Sequence, residues 1–180
     1  MAVALFDLSH AVCVEAMSKR CFSCGGAFEP GPDGATHKYM LSTPGCWAAF
    51  GEVLAREYSN PRLFGSSHRL TVDAYACQHP GDPADRRAVQ SVWVHATSLW
   101  LVLEAGASHN LATQALKTLA GRTFDALPEA PTHFEHTHSD VLKAPLADHE
   151  AQAQAWAKAS LAGWAAIHDR LEEFSREILN

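Results

Sequence analysis

Cys21-Phe22-Ser23-Cys24-Gly25 places two cysteines with two residues between them and a glycine directly after. At this spacing both sulfurs can point at one metal ion, and the glycine lets the chain turn tightly beneath them. Cys46 and His79 follow farther along the chain. We expect these four side chains, which come from three separate segments, to form a closed tetrahedral zinc site.

The choice of His79 rests on the predicted helices around it. Cys46 begins a helix over 45–58, whereas His68 begins and His79 ends the next helix. A short connection favours an antiparallel hairpin, in which the start of the first helix lies beside the end of the second. His68 would then lie roughly 16 Å from that end, at about 1.5 Å per residue.

His37 stays open as an alternative fourth ligand, because it precedes Cys46 by nine residues on the adjoining loop. Tyr75 or Gln78 could supply the hydrogen bond that orients the ligating histidine. A CxxC redox pair is the other interpretation, but such pairs usually open a helix after a strand in a βαβ unit, and no such unit is predicted.

The composition describes a globular chain of 180 residues, with 47% apolar and 19% charged residues. A net charge of −6 argues against a nucleic-acid partner, since phosphate binding needs a basic face. No apolar run approaches the roughly 20 residues that span a bilayer. Five cysteines, with Cys13 and Cys77 in apolar surroundings, favour reduced thiols plus a metal site in the cytoplasm.

Periodicity and capping residues predict an all-α protein, a helical bundle of five or six helices with an N-terminal CxxC zinc knuckle, and no strand pair. We expect one helical domain over 1–180, in which 21–81 forms the knuckle and the helical hairpin and 82–180 forms the rest of the bundle. Gly163 should allow a neighbouring helix to pack closely. The stretch 122–145 is expected to be irregular. The predicted helices run from Asp7 or Ser9 to about Arg20, then over 45–58, 66–78, 82–105, 111–119 and 146–179.

Three longer stretches resemble a bacterial family of domains of unknown function. They are CFSCGGA at 21–27, PGCWAAFGEVLAREY at 44–58 and HRLTVDAYACQHPG at 68–81. The resemblance covers most of the chain from Cys21 onward and implies a helical protein with a CxxC metal knuckle, but no activity. Cys77 stands where the family pattern leads us to expect an aliphatic residue. The pattern also includes Gln90-Ser91-Val92 with His95, and a C-terminal helix with His149, Trp156, Trp164 and His168.

The helix over 66–78 carries an unusual number of polar groups, because His68, Tyr75 and His79 share one face. They could line a pocket for a small molecule or supply a general acid or base. They could equally form a buried hydrogen-bond network between helices. For an enzyme, the candidate catalytic residues are Asp73, Tyr75, Gln78 and His95.

Two further histidine groups stand out. His95, His149 and His168 could converge on a second metal, although each alone is more often an ordinary core or surface histidine. His133, His136 and His138 form an HxxHxH cluster, which we interpret as an exposed loop rather than a metal site.

Common nucleotide and hydrolase motifs are absent: the sequence has no Walker loop, GxGxxG, GxSxG or HExxH. Our first hypothesis is therefore a zinc-binding helical protein whose zinc is structural, with a small-molecule-binding or regulatory role. The alternative is a metal-dependent hydrolase or transferase acting on a small molecule. The partners we allow for are a small molecule and a second copy of the chain, not nucleic acid or a membrane.

Overall fold

The computed structural model describes residues 18–30 and 34–180. The helix predicted to end near Arg20 lies mostly outside these residues, and its last positions form strand β1 (Lys19–Arg20) instead. β1 pairs antiparallel with β2 (Ala27–Phe28). This small ladder was not predicted, because two residues per strand are too few to show an alternating pattern.

Helices α1 (Pro44–Tyr58) and α2 (Pro61–Gln78) form the expected hairpin. Thr43 caps α1 through its side chain, and Pro44 occupies the first turn. α2 begins five residues before the predicted position at Ser66. The Asn60 side chain caps α2 and Pro61 is its first residue, so the dipeptide that ends α1 also begins the next helix.

The next two helices are close to their predicted positions. α3 (Arg86–Leu103) begins after Asp85, whose side chain caps it, and not at Asp82. The Asp82 carboxylate instead accepts a hydrogen bond from the N–H of Ala84 in the preceding turn. α4 (His109–Leu119) is capped by Ser108.

The C-terminal region differs most from the prediction. The stretch expected to be irregular contains α5 (His138–Lys143), which begins with a capping box. The helix predicted over 146–179 is divided into a 3-10 turn (Leu146–Asp148), α6 (His149–Gly163), a second 3-10 turn (Ala165–Ile167) and α7 (His168–Leu179).

The division between α6 and α7 has a local cause. Trp164 leaves the helical conformation and buries its indole, whose Nε1–H donates to the Cys77 carbonyl at 2.8 Å. Gly163 does permit a close approach, because an added Cβ would lie 2.5 Å from the Phe134 ring. The neighbour is thus a loop residue and not, as predicted, a helix.

α2 lies at the centre of the bundle and packs against α1, α3 and α6, while α5 packs on α1 and α7 on α3. The all-α class is confirmed, with seven α-helices over 18–30 and 34–180. In those residues no helix is both long and apolar enough to cross a membrane. The fold therefore places the start of α1, the end of α2 and the start of α5 together beside the knuckle.

Candidate metal centre

The four predicted ligands meet in one buried group. Cys21 and Cys24 come from the knuckle, Cys46 from the first turn of α1, and His79 from the residue after α2. One ligand atom from each residue lies within 4.8 Å of all the others, and no side chain of the group is more than 3% exposed. The group could therefore hold a metal ion.

The spacing of the ligand atoms fits a single tetrahedral ion. The Sγ atoms of Cys24 and Cys46 are 3.9 Å apart. His79 Nε2 lies 3.3 Å from Cys46 Sγ and 3.6 Å from Cys21 Sγ. Zinc bonds of about 2.3 Å to sulfur and about 2.0 Å to nitrogen would separate tetrahedral ligands by about 3.5–3.8 Å. The donors are thus arranged for one ion.

The knuckle obtains its shape from a tight turn at Gly25. This residue has φ of +73°, a conformation that glycine adopts without steric cost, and its N–H donates to the Cys21 carbonyl at 2.9 Å. The N–H of Gly26 points at Cys24 Sγ, 3.3 Å away. The backbone N–H of Gly26 therefore faces a sulfur that would carry negative charge.

His79 is fixed in the orientation that a ligand requires. Its Nδ1–H donates to the Tyr75 carbonyl at 2.8 Å, so the Nε2 lone pair faces the sulfurs. The rings of Tyr75 and His79 stack with centroids 3.9 Å apart. Of the two orienting residues predicted, Tyr75 acts through its backbone, whereas the Gln78 side chain donates to the His136 carbonyl.

His37, the alternative fourth ligand, is not in the group. Its Nδ1 accepts from the N–H of Tyr39 at 3.2 Å, and its ring packs against Trp47. The geometry therefore favours His79.

Three crowded sulfurs cannot all ionise without a cation. The hydrogen bond from Cys24 lowers the pKa of the Cys21 thiol, and the same contact raises the pKa of Cys24 to about 12. The pKa of Cys46 is raised, chiefly by its contact with Cys21. A metal ion entering the site must therefore displace protons from Cys24 and Cys46.

His138 also belongs to this region, although we had assigned it to an exposed loop. It is fully buried, and its Nδ1 lies 3.8 Å from Cys46 Sγ. Burial lowers the pKa of the imidazole to about 4, so the ring is neutral at pH 7. The capping box of Thr137 and Asp140 is the sequence signal that could have located it. Of the other two histidines, His133 is exposed and His136 is half-buried.

The four catalytic candidates do not line one pocket. Asp73 is a buried carboxylate that accepts from Arg69, from Ser98 and from His95 Nδ1, the last at 2.6 Å. Tyr75 belongs to the metal centre, with its hydroxyl 3.6 Å from Cys46 Sγ. The contacts of Asp73 form a buried hydrogen-bond network between α2 and α3.

The three histidines considered for a second metal have separate partners. His95 pairs with Asp73, while His149 Nε2 donates to Glu57 at 3.1 Å. His168 contacts the Leu161 carbonyl and packs on Trp100. In the part of the chain that the structure describes, the cysteine and histidine group is the single cluster of metal-ligating side chains.

Comparison with known proteins places the chain in a family of unknown function. Residues 19–165 match the model of a family of unknown function, DUF5946, and the chain belongs to this family. This confirms the resemblance to a family of unknown function. No curated protein and no solved structure matches the chain.

Proposed function

We propose that the chain binds one zinc ion through Cys21, Cys24, Cys46 and His79, and that this zinc is structural. The observation that carries the proposal is the convergence of four buried ligand atoms, from three separate segments, to within 4.8 Å of one another. Three thiolates and an imidazole form a soft donor set, and such a set binds zinc in preference to magnesium or calcium.

The structural role follows from burial. A catalytic zinc keeps one coordination position open for water or substrate, whereas a structural zinc is closed by four protein ligands. Here the chain itself supplies four ligands, and Tyr75 and His138 pack around Cys46. The ion would join the knuckle to the start of α1 and the end of α2, so its binding energy would contribute to folding.

The experiment is metal analysis of the purified protein and of two cysteine variants. We expect one zinc per chain, and we expect Cys46→Ser to lose it. Cys77→Ser is the matched control, since Cys77 is equally buried on α2 but lies outside the group. Full zinc occupancy in Cys46→Ser would contradict the proposed ligand set.

The donor set also supports a reducing location. All four cysteines in the described residues are free, and three of them would be zinc thiolates. Such thiolates persist where glutathione and thioredoxin keep thiols reduced, and we therefore propose the cytoplasm.

A cavity beside the metal centre supports a ligand-binding role. It measures about 300 Å³, and its walls include Pro80 and Gly81, which directly follow the ligand His79. Val89, Leu127 and Trp164 also line the cavity, and the other lining residues are apolar except for Glu129. We therefore propose that a small apolar molecule binds here, where it would contact the segment that carries His79.

This role can be tested with the fluorescent probe 1-anilinonaphthalene-8-sulfonate. Leu127→Trp should fill the cavity from a loop position and weaken probe binding, with the zinc content unchanged. Phe64→Trp, a change at an exposed aromatic residue on α2, is the control and should leave binding unaltered. Equal probe affinity in all three proteins would argue against a ligand site in the cavity.

A further inference from the structure

His138 and His149 are both buried histidines with a partner at only one ring nitrogen, but the partner of His138 is a sulfur of the metal group. Nδ1 lies 3.8 Å from Cys46 Sγ, whereas Nε2 is buried without a hydrogen-bond partner. No sequence motif linked this residue to the metal ligands, which lie at least 59 positions away in the chain. Its position against one of the ligating sulfurs calls for an explanation.

We propose that His138 donates a hydrogen bond from Nδ1–H to the Cys46 thiolate and thereby tunes the metal centre without ligating the ion. This inference rests on the proposed function, because it requires a metal bound at Cys46. His138 is then a positioning residue, which acts on the ion through the sulfur.

The tautomer follows from the partners on each side of the ring. A metal-bound cysteine is a thiolate and can only accept hydrogen bonds. If the proton were on Nε2, the Nδ1 lone pair would face the sulfur and a buried N–H would have no partner, which is costly. A proton on Nδ1 makes one favourable contact and leaves only a lone pair at Nε2.

A second donor reaches the same sulfur from α2. The Tyr75 hydroxyl lies 3.6 Å from Cys46 Sγ. One divalent ion and three thiolates carry a net charge of −1, and this charge is buried. Hydrogen bonds from His138 and Tyr75 would delocalise it and stabilise the metal–sulfur bond, as outer hydrogen bonds do at other metal sites.

The chain holds α5 in place for this contact. An added Cβ at Gly26 would lie 2.7 Å from Cε1 of His138, so the glycine is what admits the ring beside the knuckle. On the other side, the Arg56 guanidinium donates to the carbonyls of Val141 and Leu142 at 3.0 and 2.7 Å. Both the knuckle and α1 therefore position His138.

The experiment uses Co²⁺ in place of zinc, because sulfur-to-cobalt charge-transfer absorption reports the electron density on the thiolates. Removing a hydrogen bond from Cys46 should shift this band to longer wavelength in His138→Leu. His138→Asn keeps an N–H donor near the Nδ1 position and should restore most of the band position. We expect Co²⁺ affinity, measured by chelator competition, to fall about tenfold or more in the Leu variant.

His149→Leu is the matched control, since His149 is also a fully buried histidine but bonds Glu57. It should lower stability without moving the band. A band that stays at the wild-type wavelength in His138→Leu overturns the inference, as does the same shift in both Leu variants. A wild-type protein that binds no Co²⁺ or zinc would instead refute the proposed function.

Should the variants fail to fold, the wild-type zinc protein still decides the matter. The ¹⁵N chemical shifts of its imidazole groups identify the nitrogen that carries the proton. We expect Nδ1–H at His138, and finding Nε2–H would refute the inference.

Discussion

The two ends of the α1–α2 hairpin each bury a polar cluster, but with opposite chemistry. The metal end contains Cys21, Cys24, Cys46 and His79, with its histidine orientated by a backbone carbonyl. The carboxylate end contains Glu57, His68, Thr71 and His149. Cys46 and Glu57, the members that α1 contributes to the two clusters, are both fully buried.

At the carboxylate end, other side chains of the same chain donate hydrogen bonds to the buried carboxylate. Glu57 accepts from His149 at 3.1 Å, from His68 at 2.9 Å and from Thr71 at 3.1 Å. Burial alone would raise the pKa of Glu57, but these three hydrogen bonds outweigh it and lower the pKa below its ordinary value. At the metal end, by contrast, crowded thiols raise the pKa of Cys24 and Cys46. Buried thiolates therefore need a cation, whereas this buried carboxylate does not.

The largest expected effect is that of removing the metal. A strong chelator at neutral pH should greatly lower the midpoint temperature of thermal unfolding. Structural zinc binds small peptides with an apparent free energy of about 10–16 kcal/mol, which is the upper limit of the loss in stability that we expect here. Thermal unfolding with and without chelator, followed by circular dichroism, measures the effect. The chelator should lower the midpoint of the Glu57→Gln variant to the same extent. If the chelator leaves the wild-type midpoint unchanged, the metal does not stabilise the fold.

Truncating the acid at the carboxylate end should be next in size. Glu57→Ala leaves two histidines and a threonine without their common acceptor, which should cost about 3–5 kcal/mol in the free energy of unfolding. Denaturant titration gives the change, and metal analysis should still find full occupancy. Glu52→Ala, an exposed position on the same helix, should change stability by less than about 0.5 kcal/mol. Metal loss in Glu57→Ala would show that the two ends are not independent.

Adding a methyl group at Gly26 should lower the free energy of unfolding by less, and its effect should be confined to the metal end. The added Cβ would press on His138 and on Thr137, so Gly26→Ala should cost about 1–3 kcal/mol and weaken metal retention. Gly51→Ala is the matched change, because nothing lies within 4 Å of its added Cβ on α1. That variant should be stabilised by up to about 1 kcal/mol, with unchanged metal affinity. Equal responses from the two variants would refute the close packing of His138 on the knuckle.

The smallest expected effect is in the acid branch of the stability profile. Because the pKa of Glu57 is lower in the folded state than its ordinary value of 4.5, its contribution is complete above that pH. It is then lost as the pH falls through 4.5 towards the lower folded value. Wild type and Glu57→Gln should both release metal in acid, so the difference between their stabilities isolates Glu57. The free energy of unfolding of the Gln variant should therefore decrease less steeply below about pH 4.5 than that of wild type. If the two plots of free energy against pH run parallel, Glu57 is not the group responsible.

Sequence reasoning was most successful where local chemistry is complete within a few residues. The start of α1 follows from Thr43-Pro44, and the four candidate ligands follow from the CxxC spacing and the hairpin. The start of α2 was misplaced because Asn60-Pro61 ends one helix and begins another. The signals for the two helix starts lay in neighbouring residues, whereas the ligand set also required the antiparallel pairing of α1 and α2.

Contacts between distant segments could not be predicted in the same way. Glu57 falls in a charged stretch of α1 that gives no sign of burial, and its partner His149 lies 92 residues away. His138 was assigned to an exposed loop because α5 has only six residues, too few to show a periodic pattern. The burial of both residues results from tertiary packing, which a single sequence does not encode locally.

The order of the ligands along the chain bears on how the protein assembles during synthesis. All four candidate ligands lie between residues 21 and 79, ahead of α3, whereas His138 and α5 come much later. Chains are made from the N-terminus at about 5–20 residues per second, so the complete ligand set emerges seconds before His138 does. A nascent chain could therefore capture its ion on the α1–α2 hairpin, and α5 would then be added over a site that is already loaded.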